Sequence, residues 1–146
     1  TIQADEEWQA YWAGLMSDPP GTQVESTLLV DVDPDFQPDP DRPMGCLLGV
    51  QWRPKDGRIA DFAARVMESV PHSQRMGATV RPTQTLVGAY PLTFLVALGF
   101  ADLDAYGAYA DTAAADEGWQ AFWADAMADP TADLIRSGIY VNISEG

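Results

Sequence analysis

The chain has 146 residues, 47% of them apolar and 21% charged; eight basic side chains against 22 acidic ones give a net charge of −14. This is the make-up of a folded domain rather than a disordered or fibrous chain. The acidity argues against nucleic acid and anionic membrane as partners, because phosphate binding needs clustered Lys and Arg. A single cysteine, Cys46, and a single histidine, His72, exclude an intrachain disulfide and a Cys- or His-rich metal cluster within one chain, so no metal or cofactor is expected.

In chain order, Trp8, Tyr11, Trp12, Leu15 and Met16 fall at i, i+3, i+4, i+7 and i+8, the apolar stripe of a helix. Asp5 is its expected N-cap and Asp18-Pro19 its stop. Val24–Val30 reads as a strand. Asp31–Pro43, with five aspartates and four prolines, reads as a stiff acidic linker; its spacing departs from the D-x-D-x-D-G loop of calcium sites. Cys46–Trp52 is a short apolar strand, and Asp56–Val70 a helix with Phe62, Val66 and Val70 on one face. Ala78–Val87 alternates as a strand, with an edge or bulge expected at Pro82. After a turn at Gly88–Pro91, Leu92–Phe100 is a buried strand, far short of the ~18–20 apolar residues of a membrane span. Asp102 caps a helix through Tyr106 and Tyr109, which breaks near Ala113–Asp116 and continues as a tryptophan-rich helix; Ile135–Ile143 closes the series.

The two tryptophan-rich segments are copies. Residues 4–19 (ADEEWQAYWAGLMSDP) and 115–130 (ADEGWQAFWADAMADP) are identical at 11 of 16 positions at one offset, and the strand after each aligns too. Residues 46–143 spell β-α-β-β-α-β, the ferredoxin-like split βαβ unit. The expected organisation is therefore an α+β antiparallel fold in three parts. Residues 1–32 form the C-terminal α-β part of a first ferredoxin-like repeat, 33–45 the linker, and 46–146 a complete second repeat. The β-α-β expected ahead of residue 1 is absent from the sequence, which favours truncation or a partner chain that supplies it.

Thr93–Phe100, the Asp102-Leu103-Asp104-Ala105-Tyr106 segment, DEGWQAFWADAMADP and Leu134–Ile143, in that order, resemble the dimeric α+β barrel superfamily, in its NIPSNAP-like and antibiotic-biosynthesis-monooxygenase-like branches. The resemblance covers about residues 46–143, with a partial second match at 4–32. It implies two sheets enclosing a pocket, a homo-oligomer or tandem repeat, and a small apolar or aromatic ligand. The activities it brings into view are cofactor-free oxygenation and cyclisation of aromatic or polyketide-like substrates; a non-catalytic binding or assembly module is the alternative. Cyclases of the superfamily use a His–Tyr pair, which makes His72 and Tyr90 the candidate catalytic residues, with Tyr106 and Tyr109 as other partners for the histidine. Haem, handled by some members, has no recognisable motif here.

Charge placement adds candidates. Residues 46–100 carry a net +3 between flanks of −9 and −8, and contain all the basic residues except Arg42 and Arg136. Arg75 and Arg81, with Arg53, suit an anionic oxygen in a pocket; equally, they suit pairing with the acidic neighbouring elements. Trp52, at the end of its strand, either stacks on a ligand or packs as core; Tyr106 completes the substrate-binding set. The competing reading of His72 is a solvated loop residue, that of the helix tryptophans Trp8, Trp12, Trp119 and Trp123 is core packing, and Cys46 reads as a buried inert thiol. No G-x-S-x-G, Walker or Rossmann motif is present. The first ten residues have neither the basic start nor the apolar stretch of a signal peptide, so cytoplasmic residence is expected.

Overall fold

A computed structural model describes residues 5–17, 26–37, 39, 41–42 and 44–143. The elements run α1 (Glu6–Ser17), β1 (Leu28–Asp31), β2 (Cys46–Pro54), α2 (Ile59–Arg75), β3 (Thr79–Val87), β4 (Phe94–Phe100), α3 (Leu103–Ala115), α4 (Glu117–Ala128) and β5 (Ala132–Val141). Of the strand expected at Val24–Val30, Val24 and Glu25 lie outside the described residues, and pairing begins only at Leu28.

The five strands form one open antiparallel sheet in the order β1-β3-β4-β2-β5. The chain is therefore α+β. Because β4 runs antiparallel to both its neighbours, β2 and β3 are parallel with β4 between them, and β4 and β5 are parallel with β2 between them. Two split crossovers thus interleave, one carrying α2 and the other α3 and α4. Alternation along β2 and β4 sends Leu48, Val50, Trp52, Phe94, Val96 and Leu98 to the helix-covered face, where they meet Phe62, Val66 and Tyr109. Leu47, Gly49, Gln51 and Leu95 point to the opposite face.

Local chemistry explains most boundaries. The Asp5 carboxylate accepts the N–H groups of Glu7 and Trp8, Asp102 that of Ala105, and Asp116 that of Trp119, so each is an N-cap. Asp116 also marks the break between α3 and α4, since its backbone is extended. Pro82 lies where β3 becomes an edge: β1 reaches only Thr83, and Pro82 needs no donor there while its carbonyl accepts the Val32 N–H. β5 begins earlier than the sequence pattern suggests, because a bulge beside Gln51 and Trp52 lets Ala132 and Asp133 pair with Pro54 and Arg53.

Two expectations are corrected. α2 does not stop at Val70: it runs through Pro71 to Arg75, so His72 is a helical residue rather than a loop one. Proline there costs one i→i−4 bond, while the inward stripe continues through Ser73, which is 3% exposed. The second correction concerns the duplicated helices. Phe122 is buried and Trp119 and Trp123 half-buried against α2 and the sheet, whereas Trp8 and Trp12 are 42% and 46% exposed and α1 buries no residue among those described. Trp8 stacks instead on Tyr11, and Trp12 meets both rings edge-on.

Candidate functional site

α2 presents Phe62, Val66, Ser69 and Ser73 at spacings of four, three and four, a stripe that faces the sheet along the length of the helix. α4 lies beside it and contributes Trp119, Phe122 and Trp123. Below them are Leu48, Val50 and Trp52 of β2, with Val96 and Leu98 of β4. Between these layers is a cavity of about 230 Å³, open on one side and almost wholly apolar. The aromatic walls hold one another in place: Trp52 packs against Phe62 and Trp123 with ring centroids 6.0 Å apart in each case, and Trp119 stacks on Phe122 at 5.4 Å.

The cavity's inner polar pair is Ser73 Oγ and Tyr109 Oη, 3.3 Å apart. Burial pushes the Tyr109 phenol above its ordinary pKa, against a smaller opposing effect of the Ser73 hydrogen bond, so the phenol is neutral at physiological pH. The second serine of the stripe, Ser69, spends its hydroxyl on the Val66 carbonyl at 2.6 Å. At the rim, Arg65 binds Asp125 of α4 at 2.5 Å and Glu68 at 3.2 Å. Beyond it Arg58 holds Asp61 and Asp129. These pairs tie α2 to α4 and its C-terminal turn, and they leave the rim guanidinium groups already partnered.

The residues singled out in the sequence are dispersed over the fold. Trp52 lines the cavity and packs against core residues. His72 lies behind the α4 wall, its ring 5.6 Å from Phe122 and 6.0 Å from Trp119, with Nδ1 buried and unpartnered among the described residues. Tyr90 sits in the β3–β4 hairpin, with Arg136 over its ring. Arg136 pairs with Gln51 on the face away from the helices, so the sheet separates His72 from Tyr90 and they do not form a pair. Arg75 spends its guanidinium on Asp116, 2.7 Å from both carboxylate oxygens, and Arg81 binds Asp31 at 2.7 and 3.0 Å. Tyr106 packs against Phe100 at 5.5 Å, outside the cavity. For Arg75 and Arg81 the pairing reading holds.

Ser73, Trp119 and Trp123 are cavity residues that sequence reasoning left as core or did not single out, and Tyr109 entered it only as a partner for His72. Ser73 alone carried a usable signal: a small polar residue continuing an apolar stripe past a proline. Among the described residues no group of three His, Cys, Asp or Glu side chains is placed to hold a metal ion, and no helix is long and apolar enough to cross a membrane. No protein-family model matches the chain, and no curated protein is similar to it at a significant level.

Proposed function

We propose that this chain is a small-molecule-binding α+β domain whose helix-side cavity takes a neutral, flat aromatic molecule. The observation that carries this reading is the cavity itself: five aromatic residues of α2, α4 and β2 around about 230 Å³, with one neutral Ser–Tyr pair inside. Drug-sized ligands occupy roughly 300–1,000 Å³, so the occupant is smaller, on the scale of two fused rings with one oxygen. A charged ligand would lie against apolar walls with every rim guanidinium already paired, which disfavours it. Cofactor-free oxygenation or cyclisation needs a base within reach of the bound molecule, and neither His72 nor Tyr90 lines the cavity. Binding is therefore the reading the geometry supports best.

The family-level reading, a ferredoxin-like unit of the dimeric α+β barrel type, draws support from strand order. β5-β2-β4-β3 is the order of that unit, and β1, the duplicate of β5, extends the sheet from the opposite edge by pairing with β3. Native mass spectrometry of the chain tests the pairing of such units. A dimer is expected; a monomer at micromolar concentration counts against it.

The binding reading is tested by titrating the chain with 1-naphthol and following tryptophan fluorescence. Saturable quenching is expected, with Tyr109→Phe weakening binding about threefold to tenfold through loss of one hydrogen bond. 1-Naphthoate, its anionic counterpart, is expected to leave the tryptophan emission unchanged. Equal quenching by both compounds, or no saturation, rejects this reading.

A further inference from the structure

The face of the sheet turned away from the helices carries a second polar constellation, independent of the cavity. Arg136 Nε donates to Gln51 Oε1 at 2.7 Å, Gln51 Nε2 donates to Thr93 Oγ1 at 2.9 Å, and Thr93 Oγ1 donates to the Tyr90 carbonyl at 2.6 Å. The circuit closes because the Arg136 guanidinium lies over the Tyr90 ring, 5.7 Å from its centroid. Gln51 is 4% exposed and Thr93 fully buried, so the arginine is held by a rigid base, while its own side chain reaches solvent.

This arginine differs from four others of the chain. Arg58, Arg65, Arg75 and Arg81 all bind carboxylates, yet Arg136 has no acidic partner among the described residues of a chain with 22 acids. Its Nε is engaged and its plane fixed, which leaves the terminal nitrogens as an oriented fork, the geometry that recognises a carboxylate. Beside it the sheet is bare. Gly49 and Gly138 are direct partners across β2 and β5, and the Tyr140 ring folds back over both. A β-carbon at Gly138 would lie 3.4 Å from the Tyr140 hydroxyl, and one at Gly49 3.4 Å from Tyr140 Cε2 and 3.7 Å from Leu95 Cδ1. Tyr140 is 60% exposed, with its ring on this glycine floor and its hydroxyl beside Gly138.

We propose that Arg136, set by Gln51 and Tyr90, and the neighbouring Tyr140 form a binding site for the carboxylate of a small aromatic acid. The guanidinium takes the carboxylate and Tyr140 and Leu95 take the ring. This site is distinct from the helix-side cavity, and its ligand has the opposite charge preference.

The test uses the full 15N-labelled chain and benzoate, followed by NMR at neutral pH through the Arg136 Nε–Hε and Gln51 side-chain amide signals. Saturable shifts of both are expected, with none from benzyl alcohol, which keeps the ring and lacks the charge. Arg136→Gln should weaken benzoate binding at least about tenfold, the loss of a charge-assisted hydrogen bond, and Tyr140→Ala about threefold or more, the loss of an aromatic contact to the ring. The retained Gln51 and backbone spectrum of each variant verifies its fold. Three results would overturn the proposal: no saturable shift, benzoate shifts centred on the Trp119 and Trp123 indoles, or unchanged affinity in Arg136→Gln. Shifts of β5 that follow protein concentration instead of benzoate would assign this face to a second copy of the chain and overturn it as well.

Discussion

Asp116 serves three neighbours with one carboxylate. It caps α4 through the Trp119 N–H at 2.7 Å, binds Arg75 of α2, and faces His72. The backbone hydrogen bond from Trp119, followed by Arg75, holds its carboxyl below the usual range; Arg58 does the same for Asp129, and Arg81 for Asp31. A carboxyl depressed in the folded state stabilises the fold above its unfolded pKa, about 3.9, and that contribution is lost as pH falls through the folded value. These are solvent-accessible groups, so the effect is screened and modest. Arg75→Ala should therefore lower the melting temperature most near pH 6–7, with the gap from the parent chain narrowing as pH falls below the unfolded value and closing only below the depressed folded one, where Asp116 is protonated in both. Melting curves of the two proteins across that range check this; a gap that stays constant would mean the Arg75 effect is packing rather than charge.

At the scale of elements, the instructive comparison is α1 with α4, related copies in sequence and different in surroundings. The stripe Trp119, Phe122, Trp123 finds α2 and β2 to cover it, while Trp8, Tyr11 and Trp12 stay exposed among the described residues. Most helical stability in proteins comes from such covering rather than from propensity, so matching caps and similar stripes do not guarantee similar burial. Caps still matter within an element. α3 has no basic residue in its last turn, and its start depends on Asp102, whose carboxylate accepts the Ala105 N–H at 2.8 Å. Asp102→Ala should cost about 1 kcal/mol in urea denaturation with an unchanged m-value. A loss below a few tenths would show that packing of Tyr109 and Ala113 alone sets α3. A tighter constraint lies at the start of β2, where Gly45 donates to the carbonyls of Phe100 and Ala101 and any β-carbon would clash with the Ala101 oxygen.

For the whole molecule, charge is the dominant feature. The +3 of residues 46–100 is largely spent on internal pairs that link α2 to α4 and β3 to β1. Each such exposed pair is worth about 0–1 kcal/mol, whereas a net −14 on a domain of this size repels over the full surface. Raising salt weakens both, but repulsion has more pairs to lose. Screening should therefore win: the melting temperature is expected to rise between about 0.05 and 1 M NaCl, as the Debye length falls to roughly 3 Å. A fall in calorimetric melting temperature over that range would show that the ion pairs outweigh the repulsion.

The local order of this protein is legible in its amino acids. The period-3.6 stripes mark four helices, alternation and apolar runs mark the strands, and Asp5, Asp102 and Asp116 are legible as caps, because each of these signals is carried by residues within a turn or two of one another. What the sequence could not determine was which side of the sheet each candidate would reach. His72 and Tyr90 are 18 positions apart in the chain and end on opposite faces, while Gln51, Thr93 and Arg136, far apart in sequence, meet because β2 lies between β4 and β5 in one register. A one-residue slip would turn every such side chain to the other face. Register and layer order are set by long-range pairing, so the cavity and the arginine circuit exist only in the folded sheet.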